Sequence, residues 1–225
     1  MFPFKAFIFL AAASTSFLDG VRGQCLQNAG YLAAFDASSG NFVGAVARNL
    51  GGSGIFTLDT STNVTNYLDV VTFSNTCSDG GPVFIQILSP IDPNAGYVDL
   101  VAGVMNCENA AFMGPAPWVA IAAADGFPHG QFPTPGTTRA TLQGAYGNLN
   151  TFCGESMSWA LGSAVGRQVL LPTWKDPNSK LWPNMPVALD KTRNWLLATP
   201  NVTAYVSGSG SVVQQVFLSI FIPRP

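Results

Sequence analysis

The stretch Tyr31 to Ala47, YLAAFDASSGNFVGAVA, constrains the fold more than any other. Two short apolar runs are held apart by Asp36-Ala37-Ser38-Ser39-Gly40-Asn41. Asp, Ser and Asn side chains hydrogen-bond their own backbone, and glycine takes positive φ without a Cβ clash. The polar stretch therefore reads as a hairpin turn of about four to six residues. Alternation puts Tyr31, Ala33 and Phe35 on one side of the first strand and Leu32 and Ala34 on the other. Both sides are apolar, the pattern of strands sandwiched between layers rather than of a strand with one wet face.

The rest of the chain agrees with a β-protein. Only 10% of its 225 residues are charged, against about 25% in an ordinary soluble domain, so it is solvated mainly by Ser, Thr, Asn and Gln. Helices in water carry Glu, Lys and Arg outward, and Glu108 and Glu155 are the only glutamates. The length allows one all-β domain with a sizeable core, and no internal linker divides it. Nucleic acid is an improbable partner: the formal charge is −2, and no lysine falls between Lys5 and Lys175 to build a basic stripe.

Residues 1–23 read as a secretion signal, with Lys5, an apolar run from Ala6 to Ala13, and small residues at Val21 and Gly23 before Gln24. The apolar core is too short to span about 30 Å of hydrocarbon, so no membrane span is expected in the mature chain, residues 24–225. Cys25, Cys77, Cys107 and Cys153 all fall in that mature chain. An even number in an oxidising compartment implies two disulfides with three possible pairings, of which Cys77 with Cys107 and Cys25 with Cys153 is the expectation here. Asn63-Val64-Thr65 and Asn201-Val202-Thr203 are glycosylation sequons beside polar turn sequence.

Strand and turn alternate along the chain. Strands are expected at Ile55 to Leu58, Tyr67 to Phe73, Val83 to Leu88, Tyr97 to Met105 and Trp118 to Ala123, then Thr138 to Tyr146, Ser156 to Leu161 and Arg167 to Leu171. Pro186 to Leu189, Trp195 to Ala198, Val202 to Val206 and Val212 to Ile222 complete the set. No 3.6-residue stripe survives three turns, and no fixed-period repeat appears. The expected fold is all-β, a single-domain antiparallel β-sandwich of about ten strands.

The opening GYL…FD…SG.FVG.V from Gly30 to Val46, the stretch SMSWAL…VLLPTWKDPNS from Ser156 to Ser179, and the apolar closing strand resemble a loosely defined group of small secreted β-rich proteins of mushroom-forming fungi. That resemblance implies secretion and one β-domain. The group has no established activity, so it transfers no catalytic or binding residue.

Reactive residues are few. His129 is the only histidine, so a Ser-His-acid or Cys-His mechanism has to run through it, and a histidine-rich metal site cannot be built. An N-terminal-histidine copper site fails because the mature chain starts at Gln24. No cofactor is implied and no catalytic residue is assigned. A hydrolase with a carboxylate pair would draw on Asp69, Asp99, Asp125 and Glu155. Asp79-Gly80-Gly81 and Asp92-Pro93-Asn94 could offer oxygens to calcium, although a bare Asp turn more often binds its own backbone. The aromatic turn Trp174 to Trp182 sets two indoles at the ends of a polar stretch containing Asp176 and Asn178. Exposed together, those rings would stack on sugars while Asp176 and Asn178 bonded hydroxyls. Buried, they would be core, as Trp118, Trp159 and Trp195 are expected to be. The function expected from the sequence is therefore a secreted, non-enzymatic protein of the extracellular or cell-wall space with a structural or interaction role. The alternatives are a carbohydrate-binding module that takes a cell-wall polysaccharide or glycan through Trp174 and Trp182, and a hydrolase.

Overall fold

A computed structural model describes residues 25–49, 55–74, 82–88, 96–102, 118–124, 153–155, 159–175 and 181–223. Strands β1 (Cys25–Asp36) and β2 (Phe42–Val46) are joined by the expected turn. In it the Asp36 amide donates to Asn41 O at 2.8 Å, and Gly40 sits at φ 71°. The Asp36 carboxylate accepts from Ser38 and Ser39 inside the turn and from Gln214 Nε2 at 2.7 Å. Those bonds, the Ser38 hydroxyl's first, hold its carboxyl well below the usual carboxylate range.

The strands that follow are β3 (Leu58–Asp59), β4 (Asp69–Ser74), β5 (Pro82–Ile87), β6 (Tyr97–Ala102), β7 (Val119–Ala124), β8 (Cys153–Glu155) and β9 (Trp159–Ala164). Next come β10 (Arg167–Pro172), β11 (Trp174–Lys175), β12 (Leu181–Trp182), β13 (Val187–Asp190), β14 (Trp195–Ala198), helix α1 (Val202–Ser209) and β15 (Val213–Phe221). Eight of them close a ring of antiparallel pairs in the order β1, β4, β5, β6, β7, β14, β13, β15 and back to β1. The β1–β15 seam runs from Tyr31 opposite Phe221 to Asp36 opposite Val216.

The all-β class is thus as expected, but the two-sheet sandwich is corrected to a barrel with extra strands. Alternation shows which residues face inward; it cannot separate two stacked sheets from one sheet curled onto itself. The wall also forks. The β9–β10 hairpin bridges β5, through Val83 opposite Trp159, and β15, through Leu170 opposite Leu218. Strands β2 and β3 extend the wall beyond β1, and β8 extends it beyond β6.

Inside lie alternate residues of every barrel strand, among them Leu32, Val70, Ile85, Leu100, Ile121, Leu189, Leu196 and Leu218. An eight-stranded ring is just wide enough for such side chains to fill, and each buried aliphatic contributes about 1.5–3 kcal/mol. Trp159 joins them, its Nε1–H donating to Val98 O at 2.9 Å, so the indole is buried with its polar atom satisfied.

One expected strand is a helix. Residues 202–206 lie in α1, because the Asn201 side chain accepts from the Ala204 amide at 2.9 Å as N-cap and Gly210 ends the helix at φ 66°. Tyr205 buries its ring against Ala188, Leu197 and Trp118, and its hydroxyl donates to Asp190 Oδ2 at 2.8 Å. Among the described residues, no helix is long and apolar enough to cross a membrane. Cys77 and Cys107, the side chains of Cys25 and Cys153, and the expected strand at 138–146 lie outside the described residues.

Candidate aromatic face and polar recess

The two ends of the Trp174–Trp182 stretch pair antiparallel, with Trp174 opposite Trp182 across β11 and β12. It is not the exposed pair of rings that sugar stacking requires. Trp174 is 0% exposed within the main core, and Trp182 packs half-buried against that core. The two rings are corrected from binding platform to packing: an indole removes more apolar area from water than almost any side chain, and the main core takes in Trp174 and backs Trp182. Asp176 and Asn178 lie outside the described residues.

Exposed aromatic surface gathers instead where β1, β2 and β15 meet. Register sets Phe35 opposite both Phe42 and Phe217, and Tyr31 opposite Phe221. The rings run on in contact: Phe217 stacks on Phe35 at 5.7 Å, Phe35 meets Phe42 edge-on at 5.7 Å, and Phe42 meets Phe221 at 5.5 Å. Tyr31 and Tyr67 close the row, each 6.2 Å from Phe221 and 5.8 Å from one another. Phe35, Phe217 and Tyr67 are buried, Tyr31 and Phe221 half-buried, and Phe42 is 47% exposed. The buried rings fix the positions of the outer ones, so Phe42 presents a ring held from beneath.

The β9–β10 hairpin leans on the same face. The Gly40 backbone comes so close to Val165 that a Cβ there would lie 2.8 Å from Cγ1. The Arg167 guanidinium sits over the Phe35 ring at 4.3 Å. Beside it a recess of about 220 Å³ is lined by Asn28, Arg167, Gln168, Ser219 and Ile220. Ser219 Oγ donates to Gln168 O at 2.6 Å, and Asn28 Nδ2 donates to Gln168 Oε1. Rings and recess share Arg167.

Of the sequence's candidate carboxylates, Asp69 is described in full. It is half-buried, and burial pushes its carboxyl up while the Arg48 guanidinium pulls it back. Asp99 and Glu155 stand on β6 and β8 with their side chains outside the described residues, and Asp125, His129, Asp79 and Asp92 lie outside them altogether. Among the described residues, no group of three His, Cys, Asp or Glu side chains converges as metal ligands would. Both sequon asparagines are exposed and use Oδ1 to accept: Asn63 from the Thr65 amide at 3.2 Å, Asn201 from the Ala204 amide. The amide nitrogen that would carry a glycan is not spent in either cap.

The sequence reading missed Phe42, Phe221, Arg167 and the recess. The signal present was a pair of aromatics four apart in each of two apolar strands, Tyr31 with Phe35 and Phe217 with Phe221. In a strand that spacing keeps both on one face. Only the pairing of the two strands turns two short rows into one surface. No protein-family model, curated protein or solved structure matches the chain.

Proposed function

We propose that the chain is a secreted, non-enzymatic interaction protein of the extracellular or cell-wall space that holds a glycan against the aromatic face of β1, β2 and β15. One observation carries this reading: a row of touching rings rises to the exposed Phe42 from the buried Phe35, which lies under the guanidinium of a recess lined with carboxamide, hydroxyl and guanidinium groups. Sugars present apolar C–H faces bordered by hydroxyls, and this surface offers apolar faces bordered by hydrogen-bonding groups. Export is supported by residues 1–23, and two disulfides by the even number of cysteines.

Affinity electrophoresis of the mature protein through gels containing chitin, β-glucan, cellulose derivatives or pectate tests the reading. Retardation in at least one gel is expected, with Phe42→Ala migrating freely at unchanged melting temperature. Trp174→Ala, a core truncation costing about 3–5 kcal/mol, is expected to lower the melting temperature and leave retardation of the folded fraction intact. Free migration of the wild type in every gel rules the reading out.

A further inference from the structure

We infer that the recess beside the aromatic face takes the carboxylate of an acidic sugar, so that the glycan is a uronate-bearing polysaccharide with a neighbouring sugar ring lying on Phe42. This rests on the glycan reading above and adds its charge class. Asn28 Nδ2 gives a proton to Gln168 Oε1, which engages the side-chain acceptor of Gln168 and leaves its Nε2 with protons to donate. Ser219 Oγ has committed its proton to Gln168 O and keeps only acceptor capacity. Arg167 brings a full positive charge and the remaining N–H groups, and no carboxylate is among the described residues that line the recess with it. Among the described residues the one ion pair is Arg193 with Asp190, so the charge of Arg167 is not neutralised by a described acid.

The guanidinium is also placed before any ligand arrives. Its contact with the Phe35 ring at 4.3 Å holds the planar group over an aromatic face while its edge N–H groups remain able to donate. A planar cation with a fork of donors matches a carboxylate, and Asn28 Oδ1 and Ser219 Oγ are left to accept from flanking hydroxyls. At about 220 Å³ the recess holds a small charged group rather than a folded partner's surface. Phe35, under the guanidinium, touches Phe42 at 5.7 Å, so the exposed ring stands one ring further along. An anionic lipid surface is less well matched: membranes recruit clusters of basic residues, and Arg167 is the only cation among the described residues of the recess and the ring row.

The test is titration calorimetry of the mature protein with an oligogalacturonate, a neutral β-glucan oligomer of equal length, and vesicles of anionic phospholipid. The oligogalacturonate is expected to bind. Arg167→Gln should weaken it about tenfold or more, the loss of hydrogen bonds to a charged group, and Arg167→Lys should recover part. Added salt should weaken wild-type binding more than that of Arg167→Gln. Arg167 is exposed, and matching melting temperatures confirm that the variants fold. If the neutral oligomer binds as tightly and Arg167→Gln behaves as wild type, the uronate assignment is overturned while the glycan reading stands. Binding to neither oligomer overturns the uronate assignment, and together with free migration in every gel it overturns the glycan reading as well; binding to vesicles alone, with free migration in every gel, overturns both in favour of a membrane ligand.

Discussion

At the β13–β14 turn the chain encloses a carboxylate: Asp190 is 0% exposed. It accepts from the Thr192 amide at 2.9 Å, from Arg193 Nη1 at 2.8 Å and from the Tyr205 hydroxyl at 2.8 Å, while Arg193 also donates to Ser211 Oγ. Burial pushes the carboxyl up, but the bonds from Ser211, Arg193 and Tyr205 outweigh it, and the net direction is down. The Tyr205 phenol is pushed up to about 12, by burial first and then by Asp190. The signs give a window at each end of the pH scale. A carboxyl lowered on folding contributes stability that is complete above its unfolded value and is lost as pH falls through the folded one. A phenol raised on folding contributes stability that is complete below its unfolded value of 10.0 and is lost as pH rises towards about 12. Melting temperature is therefore expected to be flat through neutrality, to drop in strong acid below about pH 4, and to drop again above about pH 10. Asp190→Asn should flatten the acid limb and cost about 3 kcal/mol at neutral pH; an unchanged acid limb in that variant would show that other carboxyls carry it.

Among the elements, α1 shows what local chemistry decides and what it hides. The sequence Val202 to Val206 has the β-branched residues of a strand, yet Asn201 before it and Gly210 after it are helix punctuation, and the caps prevail because the helix packs Tyr205 over β13 and β14. Asn201→Ala is expected to cost about 1 kcal/mol through loss of the cap and also to remove the sequon. Asn201→Asp keeps the cap and removes the sequon, so comparing melting temperature and mass of the two variants separates the two roles. The β1–β2 turn, the 195–198 strand and the closing strand were legible because turn residues and alternation act over a few positions. The aromatic face was not legible, because Phe35, Phe42 and Phe221 meet only through long-range register. The Trp174–Trp182 pairing was legible but not its depth of burial, which depends on core residues distant in the chain, such as Leu32 and Leu218, that share its cluster.

For the molecule as a whole, the registers bear on the sulfur chemistry. Cys25 stands opposite Ser74, shortly upstream of Cys77, and Cys153 stands opposite Ala102, shortly upstream of Cys107. A disulfide needs Cα atoms about 4.4–6.8 Å apart. The registers fix the backbone of Cys25 on β1 and of Cys153 on β8. Peptide mapping of the unreduced protein tests the pairing expected from the sequence: linked Cys77–Cys107 and Cys25–Cys153 peptides would bear it out, and a Cys25–Cys77 or Cys107–Cys153 peptide would replace it.

The seam between β1 and β15 has a further consequence during synthesis. Of the barrel strands, these two stand first and last in chain order, yet they pair over six residues, from Tyr31 opposite Phe221 to Asp36 opposite Val216. Until the ribosome releases β15, the nascent chain carries open borders on β1, β10 and β13, the strands that pair with it, each with apolar side chains and free to capture a neighbouring polypeptide. Closure must therefore come late, and the growing chain depends on shielding until its final strand arrives.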